Sequence, residues 1–168
     1  MLGITAFGWV HTVISLLAMA AAVVALVRYG GIALATAPGR AFVGLTVASC
    51  VTGLFIFHHG GFGPPHVLAL TTLVVLVVAA LAERRRLFGG ASAYVATAAY
   101  SLAFFFHFIP GFTETLTRLP VGAPYASGPD DPKLQTLIGA TFAVFVIGML
   151  WQLVRLRRRQ RAVAPARS

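Results

Sequence analysis

Five stretches of almost unbroken apolar sequence, separated by short breaks rich in arginine, glycine and proline, constrain this chain more than any other feature. They run from about Ile4 to Val27, Ala41 to Phe57, His66 to Ala82, Ser92 to Ile109 and Leu134 to Val154. An apolar run of this length is a candidate bilayer span, because in lipid every backbone N–H and C=O must find its partner inside the segment, as a helix provides. The second run is the shortest. At 1.5 Å per residue it makes about 26 Å, slightly less than the roughly 30 Å hydrocarbon core, and flanking residues or local thinning close the gap.

Composition agrees. Of 168 residues, 58% are hydrophobic and only 10% are charged. A soluble domain this small leaves about a third of its chain surface in water and could not hide so much apolar side chain. The expected fold is all-α: a polytopic membrane bundle of about five transmembrane helices over residues 1–155, followed by a basic tail over 156–168. The first run lacks a basic n-region and is longer than an ordinary signal-peptide core, so it reads as a retained helix.

Arginines set the expected orientation. Arg28, Arg40, Arg84, Arg85, Arg86 and six arginines after the fifth run fall on one side; Arg118 and Lys133 fall on the other. The positive-inside rule puts the first group in the cytoplasm, with the N-terminus out and the C-terminus in. A multi-pass protein of the cell inner membrane is expected. The net charge of +9 is then topology signal and contact with anionic head groups, so membrane lipids are the expected partners. A nucleic-acid partner is not expected, since the basic tail adjoins no folded binding module. Cys50, the sole cysteine, stands inside the second run and has no thiol to pair with.

All five histidines, His11, His58, His59, His66 and His107, fall in the expected outer half. Ionisable groups at membrane depth are costly and tend to mark functional sites. Imidazole ligates zinc, copper and haem iron. His11, His58, His59, His66 and His107 are therefore candidate metal ligands, with His11 and His107 as a candidate haem pair. Interfacial histidines that merely tolerate water and head groups would show the same distribution. Between His58 and His66, the glycines Gly60, Gly61 and Gly63 and the prolines Pro64 and Pro65 specify a tight hairpin that would hold three imidazoles near one another.

The outer segment after Pro110-Gly111 offers Thr113 as a helix cap, Leu116 and Leu119 as bundle-facing residues, and Glu114 as candidate acid/base, ligand or partner of Arg118. The many phenylalanines near this end could wall a cofactor pocket or pack in core and lipid. Small residues four apart, Gly44 with Ala48 and Ser49 with Gly53, and Ala18 with Ala22, permit close helix contact and a homo-oligomer.

Gly8-Trp9-Val10-His11, Pro38-Gly39-Arg40 and Arg84-Arg85-Arg86, in this order and over about the first 110 residues, resemble bacterial inner-membrane proteins of the DUF2306-like class. That resemblance implies a multi-helix membrane protein with functional histidines and carries no settled activity.

Two functions are open from sequence. One is a membrane protein with an outer-side metal or haem site, for redox chemistry or metal-dependent hydrolysis. The other is a small proton-coupled transporter or structural membrane protein without a metal. Signatures of zinc proteases, serine hydrolases and c-type haem attachment are absent from the sequence.

Overall fold

The computed structural model describes residues 5–57 and 61–163. Among them lie six α-helices: α1 (Ala6–Tyr29), α2 (Ala37–Leu54), α3 (Pro64–Arg85), α4 (Ser92–Phe106), α5 (Phe108–Leu116) and α6 (Pro132–Val163). With α4 and α5 taken as one interrupted rod from Gly89 to Leu116, four helices are long and apolar enough to cross a membrane: α1, α3, the α4–α5 rod and α6. Their length and apolarity describe a membrane protein.

Each boundary has a local cause. Thr5 accepts from the Gly8 N–H at 3.1 Å and caps α1. Gly30 closes α1 in the left-handed region at φ 72°, its N–H bonded to the Leu26 carbonyl at 2.9 Å. A side chain on Gly30 would overlap the Arg155 guanidinium of α6. Thr36 caps α2 by accepting from the Gly39 N–H at 3.2 Å, and a Cβ on Gly39 would overlap the Ala33 carbonyl. Pro64 and Pro65 open α3, where their missing N–H groups have no helical partner.

Helix α1 packs against α2, and α3 against α4. Helix α2 touches α3, α4 carries α6, and α5 lies against α4 and α6. The core is built largely of small residues, as expected where van der Waals packing rather than water exclusion drives helix association. Ala18, Ala22 and Ala25 of α1, Ala79 and Ala82 of α3, and Ala96 and Ala103 of α4 are buried beside Phe42, Leu76 and Tyr100. The Ala18–Ala22 stripe packs inward as its spacing suggests. The Gly44 stripe does not: Gly44 is exposed with nothing near it, and α2 turns Phe42, Thr46, Ser49 and Cys50 inward instead.

Four further expectations change. Pro110 does not stop the fourth helix. The rod breaks at His107, whose N–H bonds back to Phe104 at 3.2 Å in a tighter turn, and Pro110 falls in the first turn of α5, where a proline costs no hydrogen bond. Thr113 therefore lies inside α5, donating to the Ile109 carbonyl at 2.8 Å, and does not cap a helix start. Leu119 is exposed. Helix α6 continues past Val154 through the arginines to Val163. At 1.5 Å per residue its 32 residues make about 48 Å, more than the hydrocarbon core requires. Ile4, His58, His59, Gly60 and Arg167 lie outside the described residues.

Candidate functional site: a histidine and hydroxyl seam on one helix face

Thr46, Ser49 and Thr52 stand three residues apart on α2, so they share one face. That face meets polar partners from two other helices. His11 Nδ1 of α1 lies 3.0 Å from Thr52 Oγ1. The Thr52 hydroxyl has only one proton, and that proton faces the carbonyls of Ala48 at 2.9 Å and Ser49 at 3.0 Å. The ring nitrogen is therefore the donor, so neutral His11 carries its proton on Nδ1 and keeps a lone pair on Nε2. One turn further along α1, Ser15 Oγ meets Ser49 Oγ at 2.6 Å and donates to the His11 carbonyl at 3.0 Å. At the deep end Thr46 Oγ1 lies 3.4 Å from His107 Nε2, at the break between α4 and α5.

The seam ends at an aromatic plug. Phe42, one turn before Thr46 and without solvent exposure, has its ring centroid 5.9 Å from that of His107 and 6.4 Å from that of Phe104. Gly53 lets α1 approach: a Cβ there would stand 3.3 Å from His11 Cε1. Gly53, whose spacing from Ser49 marked it for close helix contact, thus seats His11 of α1.

His66 occupies a separate place. It lies in the first turn of α3, its Nδ1 accepting from the Gly63 N–H at 3.2 Å, which fixes the loop entering the helix. Its ring stacks between Phe57 at 5.0 Å and Phe62 at 5.2 Å. An Nδ1 that accepts leaves the proton of the neutral ring on Nε2. In this arrangement Nε2 is a donor and has no lone pair for a metal.

Among the described residues, no three His, Cys, Asp or Glu side chains are grouped to hold a metal ion. The candidate ligands His58 and His59 fall outside those residues. His11 and His107 both reach the inward face of α2, but beside residues six apart, a rise of about 9 Å along the helix. Glu114 pairs with Arg118 one turn on. The phenylalanines pack mainly on one another: Phe105 of α4 against Phe142 at 5.3 Å and Phe145 at 5.2 Å of α6, and Phe104 against Phe108 at 5.2 Å.

Sequence reasoning passed over Glu83. This carboxylate, in the last turn of α3, accepts from the Leu34 N–H at 2.9 Å, the Ala35 N–H at 3.2 Å and the Tyr100 hydroxyl at 2.9 Å. It ties the α1–α2 loop, α3 and α4 together at the arginine-rich end. The available signal was a lone acidic residue at the edge of an apolar run, where an unpaired carboxylate is costly. The seam hydroxyls carried a signal too, in the three-residue spacing of Thr46, Ser49 and Thr52.

Architecture and seam define a class: a helical membrane protein with hydrogen-bonded histidines in its interior. Comparison with known proteins adds no relative to that description, since no family model, curated protein or solved structure matches the chain.

Proposed function

We propose that this chain is a five-span inner-membrane protein, N-terminus out and C-terminus in, that works as a small proton-coupled carrier. On this reading His11 and His107 are its proton-binding groups. One observation carries the reading: buried His107 and half-buried His11 both reach hydroxyls of a single helix face. A neutral imidazole can bind a proton and release it, and hydroxyls both donate and accept, so such a seam can take up and pass protons. The Phe42 plug favours a carrier over an open channel, because it interrupts the polar path beyond His107. Helix α2 crosses with the others on this reading; its 18 residues make about 27 Å, and its polar face meets α1 and His107 at the α4–α5 break.

The test uses liposomes of mixed zwitterionic and anionic phospholipid enclosing a pH-sensitive dye. Protein-bearing liposomes should relax an imposed pH gradient faster than empty ones, and the double variant His11→Gln/His107→Gln should relax at the empty rate. Equal relaxation with and without wild-type protein would sink the proposal.

One observation favours a second reading, a haem or metal site. A metal-bound imidazole usually donates its other ring N–H to an oxygen, and His11 Nδ1 donates in this way to Thr52. His107 would be the facing ligand for haem. Zinc or copper would need further ligands, for which His58, His59 and His66 are the candidates. His66 would then have to release Gly63. An optical spectrum and elemental analysis of gently purified protein separate haem, zinc, copper and none.

A further inference from the structure

The His66 imidazole is 4% exposed, and its Nε2 is a buried atom with no hydrogen-bond partner among the described residues. Its other nitrogen accepts from the Gly63 N–H, so Nε2 carries the proton. A buried N–H without an acceptor is destabilising, and buried donors in native proteins are nearly always satisfied. Two phenyl rings cover the imidazole faces, and both phenylalanines are exposed, Phe57 at 56% and Phe62 at 64%. Phe62 also lines an open hollow of about 590 Å³, whose other walls are Gly63, Pro64, Val67, Leu68 and Thr71. One hydrogen-bond donor is thus set in an apolar, aromatic surround at a helix start. Such a place suits a molecule that is itself apolar and carries an oxygen acceptor.

We propose that the hollow beside Phe62 binds a lipophilic carbonyl compound, and that His66 Nε2–H donates to its carbonyl oxygen when the Phe62 ring swings aside. The same chemistry is offered by a quinone-class ring and by the ester carbonyl of a phospholipid. This site is separate from the seam and does not depend on proton carriage.

The experiment uses the full chain in nanodiscs of ether-linked phospholipid, which has no ester carbonyl. A short-chain benzoquinone is titrated in and binding followed by equilibrium dialysis; in parallel, thermal stability is compared between ether-linked and ester-linked nanodiscs. Saturable quinone binding, weakened about tenfold by His66→Phe as expected for losing one hydrogen bond, assigns a quinone-class ligand. A higher melting temperature in ester lipid, lost in His66→Phe, assigns the phospholipid. His66→Phe keeps a ring between Phe57 and Phe62 but also removes the Gly63 contact, so Phe62→Leu serves as a second variant. It leaves both nitrogens in place and should change quinone affinity or the lipid-dependent shift without altering helicity. The proposal is overturned if wild-type protein shows neither saturable binding nor a lipid-dependent shift. Effects that persist unchanged in both variants overturn it equally.

Discussion

His11 Nδ1 donates to Thr52 Oγ1 across the α1–α2 interface at 3.0 Å, and the Thr52 proton is already directed at its own helix backbone. The pair fixes the tautomer of His11 and the register of the two helices. Replacing Thr52 with Val keeps the shape and removes the acceptor. The expected loss is about 1 kcal/mol, within the range for interhelical hydrogen bonds in membranes. Unfolding in mixed detergent micelles measures it. Thr12→Val is the control, since Thr12 donates to the Gly8 carbonyl of its own helix; equal losses in the two variants would contradict the assigned role of Thr52.

Gly53 and Gly44 make a matched test of packing. Gly53→Leu pushes a branched side chain into the His11 ring, whereas Gly44 has open space around it. Gly53→Leu should destabilise by about 1–3 kcal/mol, the usual cost of overpacking. Gly44→Leu should fall within about 0.5 kcal/mol of wild type, as surface changes do. A large loss at Gly44 in detergent, accompanied by dissociation of an oligomer, would instead restore Gly44 to an interface.

Glu83 is the expected stability hot spot of the arginine-rich end. In Glu83→Met both oxygens are removed, so the Leu34 and Ala35 N–H groups and the Tyr100 hydroxyl all lose their acceptor. A loss of about 1–3 kcal/mol follows from an unmet backbone donor. Tyr100→Phe removes only one of the three bonds and should cost less. The same unfolding assay ranks the two, and a larger loss for Tyr100→Phe would contradict the carboxylate clasp.

What the sequence made legible, and what it did not, divides along physical lines. Long apolar runs disclosed the helices because bilayer thickness and backbone satisfaction dictate their length. The break at His107 was hidden, because Pro110 reads as a stop in sequence yet is harmless in a helix's first turn. His11 stood out as an ionisable group within an apolar run, and the structure gives it a half-buried hydroxyl partner. The spacing of Thr46, Ser49 and Thr52 marks a hydroxyl face, but the pairing of Thr52 with His11 was not readable, since a contact across 41 residues is a product of helix docking. Glu83 escaped notice for a different reason: three arginines follow it, and the charge run reads as a solvated end.

Asp131 supplies a pH prediction outside the bundle. Hydrogen bonds from the Ser127 N–H at 2.8 Å, the Lys133 N–H at 2.9 Å and the Ser127 hydroxyl at 3.1 Å favour its charged form and hold its pKa below the ordinary aspartate value. A carboxylate with a lowered folded pKa stabilises the ordered turn above the unfolded pKa and loses that contribution as pH falls through the folded value. Order at Ser127 and Lys133 should therefore hold at neutral pH and fail only at pH below about 4. Hydrogen exchange, corrected for intrinsic rates, reads this directly; Asp131→Asn should abolish the pH dependence, and its persistence there would contradict the assignment.

Orientation is tested by reporter fusions. The split of basic residues predicts that a reporter at the N-terminus is active outside and one at the C-terminus inside. Both termini reporting from the cytoplasm would overturn the five-span topology and put α2 out of its crossing position.

The central claim, that protons bind reversibly to the His11–His107 seam, is tested most directly by charge displacement on a solid-supported membrane after a rapid pH jump. Wild-type protein should give a transient current whose size rises as the final pH of the jump is lowered. His107→Gln should reduce it, His11→Gln/His107→Gln should abolish it, and His66→Phe should leave it intact. A transient of wild-type size in the double variant would contradict the account.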